Sequence, residues 1–238
     1  MDAPPAGIVF SHPEQLARAR GLDGLSWVFA RNFLLDLPRA AAARRLAERV
    51  AKVAPSATFV PYVWHLVSHG ADDPLSGRGS RRPAGAPENF GGLRDTPEVS
   101  TALSAQLEST RAAGADAWCL TTPPSISPGA AGRARLARFF EYSRNLGLTV
   151  FWQPEGVWTP DEAAACLPPG DRLLWPVGPL EGHADLPPGA LALVRPRRPR
   201  LRPAEIDAIV ERSGPGVVFG GPHAVSAAAA YLRATRDA

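Results

Sequence analysis

The 238-residue sequence predicts an α/β fold, a (β/α)8 TIM-like barrel with a closed parallel sheet and helices on its outside. Three observations carry that expectation. Strand-like apolar runs alternate with helix-like segments, the signature of βα units around a parallel sheet. Eight strand-like runs can be counted, and the chain is about as long as one barrel needs. A single domain over residues 1–238 is therefore expected.

The strands are expected at residues 7–10, 25–30, 57–64, 115–121, 148–153, 172–176, 190–195 and 216–219. The fifth is typical: Leu148 to Trp152 is nearly unbroken apolar sequence, as in a strand buried on both faces. Helical patterns fall between them at 13–20, 38–52, 97–113, 130–146, 160–166, 203–212 and 222–233. Thr96-Pro97-Glu98 and Thr159-Pro160-Asp161-Glu162 place a capping hydroxyl, a first-turn proline and early acids in the order that a helix start prefers. Gly114 and Gly147 stop their helices. The first and sixth units are the weakest, since the connection 177–189 is rich in Gly and Pro and shows no helix. Loop 70–95 carries Arg78, Arg81 and Arg82 among Gly, Ser and Pro; it is too long for a simple connector, which makes it a mobile lid over the barrel mouth or a partly disordered segment.

Composition narrows the function classes. Hydrophobic residues at 45% and charged ones at 21% are ordinary for a globular chain, and the 26 prolines and 22 glycines sit mainly in loops. There is no run of about 18 apolar residues and no charged start followed by an apolar stretch, so neither a membrane span nor a signal peptide is expected and a soluble cytoplasmic protein is the default. Cys119 and Cys166 have no disulfide or metal spacing and read as buried small hydrophobes. A net charge of +3 is small for this length and argues against a nucleic-acid partner. The local exception is Arg195, Arg197, Arg198, Arg200 and Arg202, either an anion site or a solvated loop.

The fifth strand leads into Gln153-Pro154-Glu155-Gly156-Val157-Trp158, so Gln153, Glu155 and Trp158 emerge where barrels bind ligands. Trp152 reads as core, whereas Trp158 faces either the mouth or the adjoining helix. Glycoside hydrolysis needs two flanking carboxyl groups. Glu155 is the only one placed at a strand end; Asp36, Asp95 and Glu181 lie on flanking loops. His65 and His69 have the i, i+4 spacing that on a helix would let both meet a metal. They follow a strand, and the chain lacks the carboxylates of a metal isomerase, so no metal and no cofactor is expected. Ser125 lacks the Gly-x-Ser-x-Gly elbow of an activated nucleophile. Gly220-Gly221-Pro222-His223 follows the eighth strand and Arg195 ends the seventh, the place where barrels hold anions with backbone donors and a charged partner. The alternative is that the two glycines only permit a tight turn.

Several segments in order resemble the YecE-like family, also called domain of unknown function 72. They are Phe90-Gly91-Gly92-Leu93-Arg94-Asp95-Thr96-Pro97-Glu98-Val99, Trp118-Cys119-Leu120-Thr121-Thr122-Pro123-Pro124-Ser125-Ile126, the helix with Leu136-Ala137-Arg138-Phe139-Phe140, and Trp152 to Trp158. The family carries Gln-Thr-Pro-Pro-Ser-Phe and Trp-Glu-Pro-Arg-Gly-x-Trp at the second and last of these. His69 stands in place of a family Ile-Thr-His, Arg195 in that of an Arg-Leu-His-Gly, and Phe219-Gly220-Gly221 in that of Phe-Asn-Asn. The resemblance covers residues 25–235 and implies a (β/α)8 barrel with no established reaction. The departures fall on ionisable positions. The family's early Glu and Tyr meet Val28 and Leu34, its Lys meets Tyr62, the Gln before the double proline meets Thr121, and the Glu and Arg of the tryptophan motif meet Gln153 and Glu155.

Two readings follow. In the first, a divergent barrel binds a small polar or anionic ligand at the strand C-terminal ends through Arg195, Gln153, Trp158, Gly220, Gly221 and Thr121, with His69 nearby. In the second, an enzyme acts on a carbohydrate-like or phosphorylated substrate with Glu155 or His69 as acid/base. Nucleic-acid binding through the arginine-rich loops is a weaker third reading. The sequence does not specify the oligomeric state.

Overall fold

The computed structural model describes residues 3–17, 19–80, 83–177 and 186–236. Its strands, in chain order, are β1 (Ala6–Phe10), β2 (Leu25–Ala30), β3 (Thr58–Pro61), β4 (Ala117–Thr122), β5 (Thr149–Pro154), β6 (Arg172–Val177), β7 (Leu191–Val194) and β8 (Val217–Phe219). They form one sheet in the order β3-β2-β1-β8-β7-β6-β5-β4, and every pair is parallel. The edge strands β3 and β4 meet through a bridge between Tyr62 and Cys119, where the Val63 N–H donates to the Cys119 carbonyl at 2.9 Å. The barrel is nearly closed, which leaves little exposed strand edge.

The helices are α1 (Glu14–Ala17), α2 (Asn32–Leu35), α3 (Ala40–Val53), α4 (His65–Ser68), α5 (Pro97–Ala112), α6 (Ala130–Asn145), α7 (Pro160–Cys166), α8 (Pro203–Arg212) and α9 (Ala224–Arg236), with one 3₁₀ turn at Pro87–Asn89. Local chemistry accounts for their ends. The Thr96 hydroxyl accepts the Val99 N–H at the start of α5, and Thr159 and Glu162 cap α7 reciprocally. Helix α3 turns Ala43, Leu46 and Val50 inward, one stripe of a 3.6-residue period.

Three expectations are corrected. The third strand stops at Pro61, because the chain turns into α4 at His65. The first helix, expected over 13–20, is the single turn Glu14–Ala17. Cys166 is only half-buried, with Arg133 donating to its sulfur at 3.4 Å. Most of the sixth connection, together with Glu181, Arg81 and Arg82, lies outside the described residues. No helix among the described residues is long and apolar enough to cross a membrane.

Strand alternation divides the core in two. Trp27 and Phe29 of β2 meet Phe151 of β5 edge-on, with centroids 6.1 and 5.1 Å apart. These strands are not neighbours, so the rings fill the barrel interior. Gly216 makes room for them, since a Cβ there would sit 3.0 Å from the Trp27 ring. The other strand face carries the outer layer: Trp118 stacks with Tyr142 of α6, and Trp152 meets Phe140 of the same helix. Burying each such ring contributes about 3 kcal/mol. The same alternation decides which residues at the strand ends look into the mouth.

Candidate functional site

Carrying the inward face of β2 beyond Phe29 brings Arg31 to the mouth. Its N–H still donates to the Phe10 carbonyl at 2.9 Å, so the sheet ladder holds its backbone. On β5 the inward face runs Phe151, Gln153, Glu155, and the Glu155 N–H is likewise held by the Thr122 carbonyl at 3.1 Å. On β4 it runs Cys119, Thr121. On β7 it runs Leu191, Leu193, Arg195, and a Cβ at Gly220 would lie 3.2 Å from Leu193 Cδ1 and 3.7 Å from Arg195 Cγ. Glycine at 220 therefore lets the arginine stem pass over the end of β8.

Tyr62, at the β3–β4 seam, crosses the top of the core and donates its hydroxyl to Gln153 Oε1 at 3.2 Å. The Cys119 thiol lies against the same hydroxyl, and burial pushes Tyr62 well above the ordinary phenol range and Cys119 up to about 12. Both are neutral, so this layer is polar without charge. Above it, Arg31 and Arg195 act electrostatically on Tyr62 and on Glu155. Neither arginine makes an ion pair with a carboxylate among the described residues. Glu155 itself is exposed on its solvent side, yet the barrel wall displaces enough water to raise its pKa; the two arginines oppose that rise and Asp73 adds to it. Desolvation prevails over both cations.

Thr121 Oγ1 is buried and has no hydrogen-bond partner among the described residues. Buried hydroxyls are nearly always satisfied, so an orphan on the inward face of β4, beside Gln153, marks a place suited to a polar guest.

His69 sits to one side of this group. It is buried, its Nδ1 is 2.7 Å from the Ser68 hydroxyl, and burial lowers its pKa to about 4. His65 shares the helical turn α4, with Nδ1 2.8 Å from the Leu34 carbonyl, and burial lowers it too. Helix α4 stops at Ser68, and His69 is its extended C-cap, tied to the turn by its N–H donating to the His65 carbonyl at 2.6 Å. The described residues hold no group of three or more His, Cys, Asp or Glu placed for a metal ion.

Of the residues singled out from sequence, Arg195, Gln153, Thr121 and Glu155 come together at the mouth, and Gly220 and Gly221 form the turn beside Arg195. Trp158 does not join them. Its indole N–H donates to the Ile126 carbonyl at 2.7 Å, its ring packs edge-on to Trp152 at 5.0 Å, and Arg133 of α6 covers it. Trp158 fixes the turn that carries Glu155. Asp36 holds the backbone and hydroxyl of Ser80 at 2.6 Å, and Asp95 pairs with Arg138 on the outside. In the arginine-rich stretch, Arg198 pairs with Glu205, whose carboxylate also caps α8. Arg31, Tyr62 and Asp73 are the members that sequence reading missed. Two signals were available: Arg31 stands directly after the second predicted strand, two residues beyond Phe29, and Tyr62 occupies the position of the family's Lys.

Fold and site together define a (β/α)8 barrel whose unpaired polar groups gather at one mouth. Among solved structures the chain is similar to a DUF72 family protein of Enterococcus faecalis V583, at 13% identity over 100% of this chain and 96% of that chain, with a TM-score of 0.57. It is also similar to 3-keto-L-gulonate-6-phosphate decarboxylase of Vibrio cholerae, at 14% identity over 99% and 98% of the two chains and a TM-score of 0.52. A third is a D-psicose 3-epimerase in the presence of D-fructose, at 9% identity over 95% and 89% and a TM-score of 0.54. At such identities the likeness is one of fold, and the first of these neighbours agrees with the DUF72 resemblance seen over residues 25–235. No protein-family model matches the chain. No curated protein matches it either.

Proposed function

We propose that this barrel binds a small anionic, hydroxylated molecule at the C-terminal ends of its strands. The observation that carries the proposal is the pair Arg31 and Arg195, neither in an ion pair among the described residues, both acting on the same mouth. They flank the ends of β1 and β8, where the Gly220-Gly221 turn permits close approach. Guanidinium groups match carboxylate and phosphate oxygens in pairs, so the charged end of the ligand belongs there. Its hydroxyls belong across the mouth, over Thr121 and Gln153.

The test is a thermal-shift titration with inorganic phosphate and with fructose 6-phosphate, in the natural protein and in Arg31→Ala and Arg195→Ala. At a concentration one hundred times the dissociation constant a ligand adds about 2.7 kcal/mol, or roughly 5–10 °C for a chain of this size. The gain should shrink in both variants. An identical response in all three proteins, or none in any, removes the site.

A second reading is supported by Glu155, a strand-end carboxyl whose pKa is raised among cations. In it the barrel is an enzyme on a carbohydrate-like or phosphorylated substrate, with Glu155 as acid/base. Turnover lost in Glu155→Gln while phosphate binding persists would favour it over binding alone.

A further inference from the structure

Apart from the mouth, a cavity of about 320 Å³ lies between α4 and the loop that follows it. Its volume is at the lower end of small-molecule sites. His65 and His69 line it from the core side, and Leu66, Pro83, Pro87 and Phe90 supply apolar wall. The loop is tied down on both sides of the cavity, by Ser80 on Asp36 and by Asn89 Nδ2 donating to Glu98 at 2.8 Å. At Gly91, with φ +72°, a Cβ would sit 1.7 Å from the His69 carbonyl oxygen. Only glycine allows the loop to close this tightly on α4.

The hydrogen-bond roles of the two rings can be read from their Nδ1 partners. The Leu34 carbonyl can only accept, so His65 Nδ1 carries the proton and its Nε2 is an acceptor when the ring is neutral. The Ser68 hydroxyl can donate or accept, so His69 Nε2 takes either role. Neither Nε2 has a hydrogen-bond partner among the described residues. Burial keeps both imidazoles neutral near pH 7.

We propose that this cavity is a second binding site, taking a small uncharged molecule with a compact apolar body and a hydroxyl, of the phenol or cyclic-alcohol class. The hydroxyl donates to His65 Nε2, and the body lies against Phe90 and the prolines. Among the described residues the lining holds no Arg, Lys, Asp or Glu, which separates the cavity from the arginine-flanked mouth.

The probe is phenol, with benzoate as its charged counterpart of similar size. It is titrated into the full chain while the imidazole ring resonances of His65 and His69 are followed by NMR. Phenol should shift both sets saturably, and benzoate should leave them in place. Ala71 is exposed at the rim of the cavity, so Ala71→Trp obstructs entry without touching the core and should weaken phenol binding at least tenfold. Arg195→Ala should leave phenol binding unchanged, so failure here and failure of the mouth site are distinguishable. Absent or non-saturating shifts, equal shifts with benzoate, or phenol affinity unaltered in a folded Ala71→Trp protein would each overturn the proposal.

Discussion

Replacing Thr121 by valine should make the free protein more stable and its ligand-bound form less favoured. Thr121 is 2% exposed, and its hydroxyl oxygen has no partner among the described residues. Burying a hydroxyl unbonded costs about 1–3 kcal/mol, because its water hydrogen bonds are surrendered without replacement. Valine keeps the branched shape that suits a strand and exchanges that hydroxyl for a methyl group. A gain near 2 kcal/mol is expected, equivalent to a rise of roughly 4–8 °C in the melting temperature at this chain length. Urea and thermal unfolding of the two proteins without ligand measure it directly. Repeating the melts with saturating fructose 6-phosphate should show the opposite trend in the ligand-induced gain, since valine offers the ligand hydroxyl nothing. A free Thr121→Val protein no more stable than the natural one would refute the reasoning, because the hydroxyl would then be satisfied by a bound water.

Two further perturbations have definite signs. His69 has its folded pKa lowered from 6.5 to about 4, so as pH falls the unfolded chain takes up the proton first. Stability from its neutral state is complete above pH 6.5 and is lost progressively toward pH 4, by an amount on the order of 3 kcal/mol. His65 shifts in the same direction, and urea midpoints measured across this window should fall less steeply in His69→Gln. Trp158→Phe removes the 2.7 Å bond to the Ile126 carbonyl and should cost about 1–2 kcal/mol in urea unfolding while leaving the phosphate response intact. A changed phosphate response at unchanged stability would place Trp158 in the mouth instead.

Much of the barrel was legible in the sequence because strand and helix signals are local. All eight strand positions could be read, and the caps at Thr96 and Thr159 stand where the hydroxyl-proline-acid order puts them. The turns α2 and α4 were not legible, since four residues are too few to display a period. The site was legible in part. Glu155, Gln153, Thr121 and Arg195 could be singled out because each ends a predicted strand. Trp158 lies in the same motif but shares its parity with the outward Trp152, against which it packs in the outer layer, so strand alternation already separates it from Gln153 and Glu155.

By itself the sequence determined that the chain is a βα alternation with its polar residues concentrated at the strand C-terminal ends. Hydrophobic period and turn chemistry are properties of neighbouring residues, and neighbours suffice to state them. Only the tertiary structure decided that Arg31 and Arg195 share a mouth, that Tyr62 bonds to Gln153, and that the His65–His69 turn closes a separate cavity under the following loop. The first two relations join strand ends that the sheet brings together from 91 or more residues apart, and the third depends on how a loop folds back on a helical turn, so no local signal encodes any of them.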